Sequence, residues 1–203
     1  MTAGEATVIG LLGAAAAGGD LDRLRAILEQ STRFLSTSDV EELLLQTVLF
    51  AGFPRTINAF VAWQAWAARR GGRDDPRVEG VRPDLWRERG EALCRLVYGK
   101  NYEALQIRLG RLHPALAEWT LIDGYGKVLS RQGPGPHVRE MSAVGALIAL
   151  GEGRQLVSHL QGALYAGVDL PVLEAGARAV AREWDRCDLV ETLLTDLDGR
   201  PDG

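Results

Sequence analysis

The sequence predicts an all-α protein, and three observations carry that expectation. Apolar residues recur at steps of three and four along almost the whole chain, and no stretch alternates as a half-buried strand would. Helix-start signals stand immediately before those runs. Breaks rich in Gly and Pro separate them.

Taken in order, LDRLRAILEQSTRFL at 21–35 places Leu21, Leu24, Ile27, Leu28 and Leu35 near one stripe, with Asp20 positioned as its N-cap. Ser38-Asp39-Val40-Glu41 has the S-x-x-E form of a capping box. It opens VEELLLQTVLF, whose Leu44, Leu45, Val48 and Leu49 form a broad apolar face. AGFP at 51–54 ends that helix, and Pro54 fits the first turn of the next, RTINAFVAWQAWAARR. GGRDDPRVEGVRPD at 71–84 is rich in Gly, Pro and charge and reads as a linker. Helices follow around LWRERGEALCRLVYG, NYEALQIRLG and PALAEWTLIDGYGKVLS. RQGPGPH at 131–137 is a second loop, stiffened by Pro134 and Pro136. HVREMSAVGALIALG, GRQLVSHLQGALYAG, a helix from Leu170-Pro171 and a last helix bring the total to roughly ten. The GRPDG end, 199–203, is expected to be disordered. The expected organisation is an N-terminal helical half-module at 1–70, the linker at 71–84 and a fuller module at 85–203, packed as one globular unit.

Composition narrows the function. Lys plus Arg total 23 against 27 for Asp plus Glu, a formal net charge of −4, so nothing favours nucleic acid or an anionic membrane as partner. TVIGLLGAAAAGG has the apolar character of a secretory-signal core, but it follows MTAGEA with no basic segment. No apolar run reaches bilayer-spanning length. Cys94 and Cys187 belong to no C-x-x-C or metal spacing. A reducing compartment fits them, and the expected location is cytoplasmic.

Candidate chemistry gathers in GEGRQLVSHLQGALYAG, 151–167. Glu152, Gln155 and His159 recur at steps of three and four and so share one helix face, opposite Leu156, Leu160, Ala163 and Leu164. Other stretches carry recognisable patterns: RERGEALCRLVYGKNYEAL has an R-x-x-G...G-x-x-Y form, YGKVLSRQG a Y-G-x-V-x-S-R-x-G form, and VREMSAVGALIAL an R-E-M helix. EELLLQTVLFAGFPRTINAF has an L-L-Q-T...G-x-P...N-A-F form. Together with QLVSHLQGALYAGV, these resemble the carboxymuconolactone decarboxylase family, which belongs with the alkylhydroperoxidase D-like proteins. The similarity covers 35–65 and 85–180.

That resemblance implies an alkylhydroperoxidase D-like helical bundle with a partial N-terminal repeat, a small-molecule substrate, no cofactor, and a homo-oligomer, trimer or hexamer. The chain departs from the pattern twice. The L-L-Q-T...G-F-P pair, which usually ends the family's domain, stands here before the active-site helix. The expectation is that 38–65 packs near His159, where the ordinary C-terminal pair would lie. Secondly, the peroxidase branch carries C-x-x-C-x-x-x-H on the stripe helix and a glutamate on the helix before it. Here the cysteine positions are Glu152 and Gln155, the histidine is His159, and Glu140 matches the preceding glutamate. A thiol peroxidase needs a thiolate and usually a resolving thiol, which neither Glu nor Gln supplies. What remains is acid–base chemistry as in the decarboxylase branch, with His159 moving the proton, Glu140 and Glu152 as its carboxylate partners, Gln155 in the pocket, and Arg139, Arg131 or Arg154 as a fork for a second carboxylate.

Plainer readings stand beside these. Without the family, His159 reads as a surface or interface histidine, Glu140 and Glu152 as charges near helix N-termini, and Gln155 as a surface residue. His113 before Pro114 and His137 after GPGP read as helix-start residues. Trp63, Trp66, Trp119 and Tyr125 read as packing residues, and the two cysteines as structural thiols on helices. No metal spacing occurs among the histidines, and DGYGK is not a phosphate loop. The leading expectation is a decarboxylase-like enzyme acting on a small carboxylated lactone. Alternatives are a hydrolase or isomerase using the same pocket and a catalytically degenerate binding or assembly protein. An open pocket containing Glu140 and His159 would favour the enzymes, and a plugged one the degenerate protein.

Overall fold

The computed structural model describes residues 1–72 and 74–198. Over them the all-α expectation holds, with no strand among the described residues. The helices are α1 (Ala3–Gly18), α2 (Leu21–Ser31), α3 (Thr37–Gln46), α4 (Val48–Ala68), α5 (Pro83–Tyr98), α6 (Tyr102–Leu112), α7 (Pro114–Trp119), a π-helical segment (Thr120–Leu129), α8 (Pro136–Leu150), α9 (Gly153–Tyr165), α10 (Leu170–Glu183) and α11 (Cys187–Asp198). The 199–203 tail lies outside the described residues.

The stretch with signal-like composition is the centre of the fold. Thr2 and Glu5 close a capping box: the Glu5 amide donates to Thr2 Oγ1 at 3.2 Å, and the Thr2 amide to Glu5 Oε2 at 2.7 Å. The helix they start, α1, is apolar on nearly every side, as suits a helix enclosed by others. It packs on α8 and α10, with α2 and α4 completing the surround. Small residues set the closeness of the α1–α8 crossing. A Cβ on Gly13 would collide with the Ser142 carbonyl, and one on Gly145 with the Gly10 carbonyl. Leu12, Met141, Ile148, Leu156, Leu160 and Leu173 fill the surrounding core.

A smaller core lies beyond the linker. There α5 crosses the π segment in the same manner, with Gly90 against the Leu121 carbonyl and Gly126 against that of Trp86. Cys94, Val97, Tyr102, Leu105, Leu121, Tyr125 and Leu129 pack between these elements. Helix α9 runs along the seam, touching α8 on one side and α5 on the other.

Several local expectations are met and some are corrected. Asp20 caps α2, its carboxylate accepting from the Arg23 amide at 3.0 Å. The cap of α3 is Ser36, not Ser38: Ser36 Oγ accepts from the Asp39 amide at 3.1 Å. Glu41 turns inward instead, accepting from Trp63 Nε1 at 2.8 Å, because a buried indole N–H needs a partner. At Gly52 the backbone reaches φ 72°, a left-handed bend that glycine adopts at little cost, and α4 kinks there ahead of Pro54. The helix expected over 114–130 changes character at Thr120. It continues with wider turns, the Ser130 amide reaching the Tyr125 carbonyl at 2.9 Å.

The linker's described residues 71–82 form no helix but are tied down along their length. Asp74 Oδ2 accepts from Thr37 Oγ1 at 2.5 Å, and Arg77 pairs with Asp39 at 2.9 Å. Glu79 accepts from Trp86 Nε1 at 2.9 Å and also pairs with Arg89. No described helix is long and apolar enough to cross a membrane.

Candidate functional site

Glu140 and His159, 19 residues apart in sequence, meet where α8 packs on α9. His159 Nδ1 lies 2.8 Å from Glu140 Oε2, with the residues only 8% and 3% exposed. A carboxylate that accepts here leaves the hydrogen of this contact on Nδ1, so Nε2 is the ring nitrogen free for other partners. The carboxylate thereby sets both the tautomer and the ring's orientation. Gly162, one turn beyond His159, makes room for this: a Cβ there would press on Val97 and on Glu140 Oε2. On another side, the Phe50 ring meets the imidazole edge to face at a centroid distance of 5.5 Å. Phe50 belongs to α4, so the N-terminal helix pair does reach His159.

The environment of Glu140 extends into the smaller core. Tyr98 and Tyr125 meet edge to face, centroids 6.0 Å apart. Burial pushes the Tyr125 phenol well up, and the charges of Tyr98 and Glu140 add to the effect. Burial likewise raises Tyr98, opposed by polar contact with Tyr125 and Ser158. The Cys94 thiol is pushed up to about 12, mainly by burial, with Arg95 opposing and Glu140 reinforcing. These groups of low acidity therefore lie within electrostatic reach of the Glu140 carboxylate.

The remaining sequence candidates fall elsewhere. Glu152, Arg154 and Gln155 are exposed around the start of α9, and no hydrogen bond among the described residues joins them to the pair. Helical spacing put them on the His159 side, but the packing of α8 covers only the lower turns of that face. Arg131 and Arg139 are corrected as open forks for a substrate carboxylate, because an internal carboxylate occupies both. Arg131 grips Glu42 through Nε and Nη2 at 2.9 Å, and Arg139 Nη2 bonds Glu42 Oε2 at 3.2 Å. Gln46 closes the cluster, donating to the Arg139 carbonyl at 3.0 Å. Burial lowers the Arg139 guanidinium pKa, and Glu42 opposes that shift.

Beside the pair, α5, α6 and α9 wall a cavity of about 260 Å³. Val97, Leu105 and Val157 are among its apolar lining residues, and Tyr98, Ser158 and Arg108 among its polar ones. On α9 the lining takes in Ser158 and Gln161 but not His159 between them. Sequence reading passed over Tyr98, Ser158, Gly162 and Phe50. Ser158 and Gly162 flank His159 on one helix, so a signal existed for them. Phe50 lies in the 38–65 segment expected near His159, but nothing in the sequence singled out its ring.

Other assignments resolve simply. His113 Nδ1 accepts from the Ala115 amide at 3.1 Å, the helix-start role expected of it. His137 lies half-buried at the start of α8. Trp63 and Trp66 stack at 5.2 Å in the core, as expected of packing residues, whereas Trp119 is exposed. Cys94 is buried but Cys187 is exposed, which corrects its reading as a structural thiol. Among the described residues no cluster of three or more His, Cys, Asp or Glu is arranged to hold a metal ion. No family model matches the chain, and no curated protein gives a significant match.

Proposed function

We propose that this chain is a carboxymuconolactone decarboxylase-like lyase that decarboxylates a small carboxylated lactone by acid–base chemistry without a cofactor. The buried 2.8 Å contact between His159 and Glu140 carries the reading. When the bond to the departing carboxylate breaks, carbon dioxide leaves and the electron pair passes into the conjugated lactone. A proton from His159 Nε2 quenches that carbanion, and solvent returns a proton to the imidazole. Glu140 holds the ring and stabilises its charged form. Thiol peroxidase chemistry fits poorly: the helix carries Glu152 and Gln155 at the family's cysteine positions, and the Cys94 thiol is pushed up to about 12. Two free cysteines accord with a cytoplasmic location. The exposed apolar residues Phe53, Ile57 and Val61, spaced by four along α4, support a homo-oligomer, for which the resemblance implies a trimer or hexamer.

A second reading has its own support. Phe50 packs against the imidazole and His159 is not among the residues that line the cavity, as expected of a degenerate binding or assembly protein in which the pair is a structural tie.

The deciding experiment is carbon dioxide release from 4-carboxymuconolactone by wild type and His159→Ala. Turnover abolished in a folded mutant supports the lyase, with a loss on the order of 10²–10⁴-fold. Absence of turnover by folded wild type rejects this substrate and shifts the assignment to a hydrolase, an isomerase or the non-catalytic reading. Turnover that rises in Phe50→Ala identifies the phenyl ring as a cover over a working site.

A further inference from the structure

The cavity walled by α5, α6 and α9 is electrically one-sided. Arg108 supplies the only formal charge among its lining residues. Nearby arginines are already engaged: Arg87 with Glu118, and Arg95 with Glu91 and Glu103. Among the described residues no carboxylate pairs with Arg108, which is exposed to solvent. The rest of the wall mixes apolar Val97, Leu105 and Val157 with the neutral polar side chains of Tyr98, Ser158 and Gln161.

We propose that this cavity is a binding site for a small planar organic carboxylate, with Arg108 as the anion anchor. A guanidinium offers two parallel N–H donors matched to a carboxylate. The apolar lining residues suit an unsaturated ring, and the neutral polar ones suit a carbonyl or ring oxygen on it. At about 260 Å³ the space is just under the ~300–1,000 Å³ of sites for drug-sized ligands, which limits the ligand to roughly one ring with its substituents. Arg108 thus takes the role that sequence alone assigned to Arg131 and Arg139, both held by Glu42. The proposal concerns binding and stands under either reading of the His159–Glu140 pair.

The test is an NMR titration of the full chain with benzoate and, separately, with its neutral amide benzamide at equal pH and ionic strength. Benzoate is expected to shift amides of α5, α6 and α9 and to bind at least about tenfold more tightly than benzamide, the strength of one charge-assisted contact. Arg108→Gln is expected to erase that preference and Arg108→Lys to keep part of it. Arg111→Gln, on the same helix but outside the cavity lining, is expected to leave it unchanged. No benzoate binding, equal binding of the amide, shifts centred elsewhere, or a preference that survives Arg108→Gln would each overturn the proposal. Binding that requires Arg108 without turnover of 4-carboxymuconolactone would sink the lyase assignment and leave the anion site standing.

Discussion

The two helix crossings of this molecule use one device and enclose different things. Where α1 meets α8, Gly13 and Gly145 bring backbone against backbone, and the surroundings are aliphatic: Leu12, Met141, Ile148. Where α5 meets the π segment, Gly90 and Gly126 do the same, but Tyr98, Tyr125 and Cys94 fill the space around them. The first arrangement is a packed core with little that titrates. The second is a layer of weak acids against a buried carboxylate. Close backbone approach is thus a matter of geometry alone, and the side chains beside it decide whether a region is scaffold or chemistry. The His159–Glu140 pair lies on the seam, held by scaffold helices α8 and α9 and faced by the tyrosines.

The largest effect is expected at the tie between the two regions. Glu42→Ala removes the carboxylate shared by Arg131 and Arg139 and leaves a buried guanidinium uncompensated, at a cost of about 3–5 kcal/mol. A urea midpoint measures it, and a change under ~1 kcal/mol would show that water replaces the carboxylate without penalty.

Next come the crossings themselves. Gly145→Ala and Gly126→Ala each drive a methyl into a carbonyl and are expected to cost about 1–3 kcal/mol or more. Amide hydrogen exchange separates them. Gly145→Ala should lower protection throughout, whereas Gly126→Ala should lower it in α5 and the π segment while α1 stays protected. Uniform loss in both variants would mean that the regions unfold as one unit.

The third prediction uses pH. Cys94 is raised from 9.0 to about 12, and Tyr98 and Tyr125 are raised as well, so all three bind protons more tightly folded than unfolded. Their stabilisation is fully present below the unfolded values and is lost as pH rises through the folded ones. For Cys94 the window runs from about 9 to about 12. Tyr102 is raised too, so phenolate absorbance should show three late-titrating tyrosines, with alkaline unfolding beginning in the smaller region. Tyrosines that all ionise together at the ordinary value would contradict the described burial.

The smallest effect is expected at Arg87→Ala. Its pair with Glu118 is solvent-exposed on both sides, and exposed pairs contribute ~0–1 kcal/mol. Thermal unfolding checks it. A larger loss would indicate that the smaller region depends on surface ion pairs in a way the larger one does not.

Much of this architecture was legible one segment at a time. The all-α class, the Asp20 cap, the break at Gly52 and Pro54, and the stop at the linker each follow from residues within a few positions of one another. Such signals reside in the sequence because capping, backbone φ and helical periodicity are local energies. Even the glutamate that faces His159 was nominated from sequence, by its place in a resembling motif. What the tertiary structure decided is which partners met. Arg139 was free to serve a substrate until Glu42, 97 residues away, came to occupy it. Helix α1, undistinguished except for its small residues, became the centre because only glycine lets α8 approach so closely. Gln155 and His159 share a helical face, yet one is exposed and the other buried, since burial depends on what packs opposite. Pairing across long separations is chosen by the whole packed chain, where a buried charge must find its counterpart and a backbone must find space.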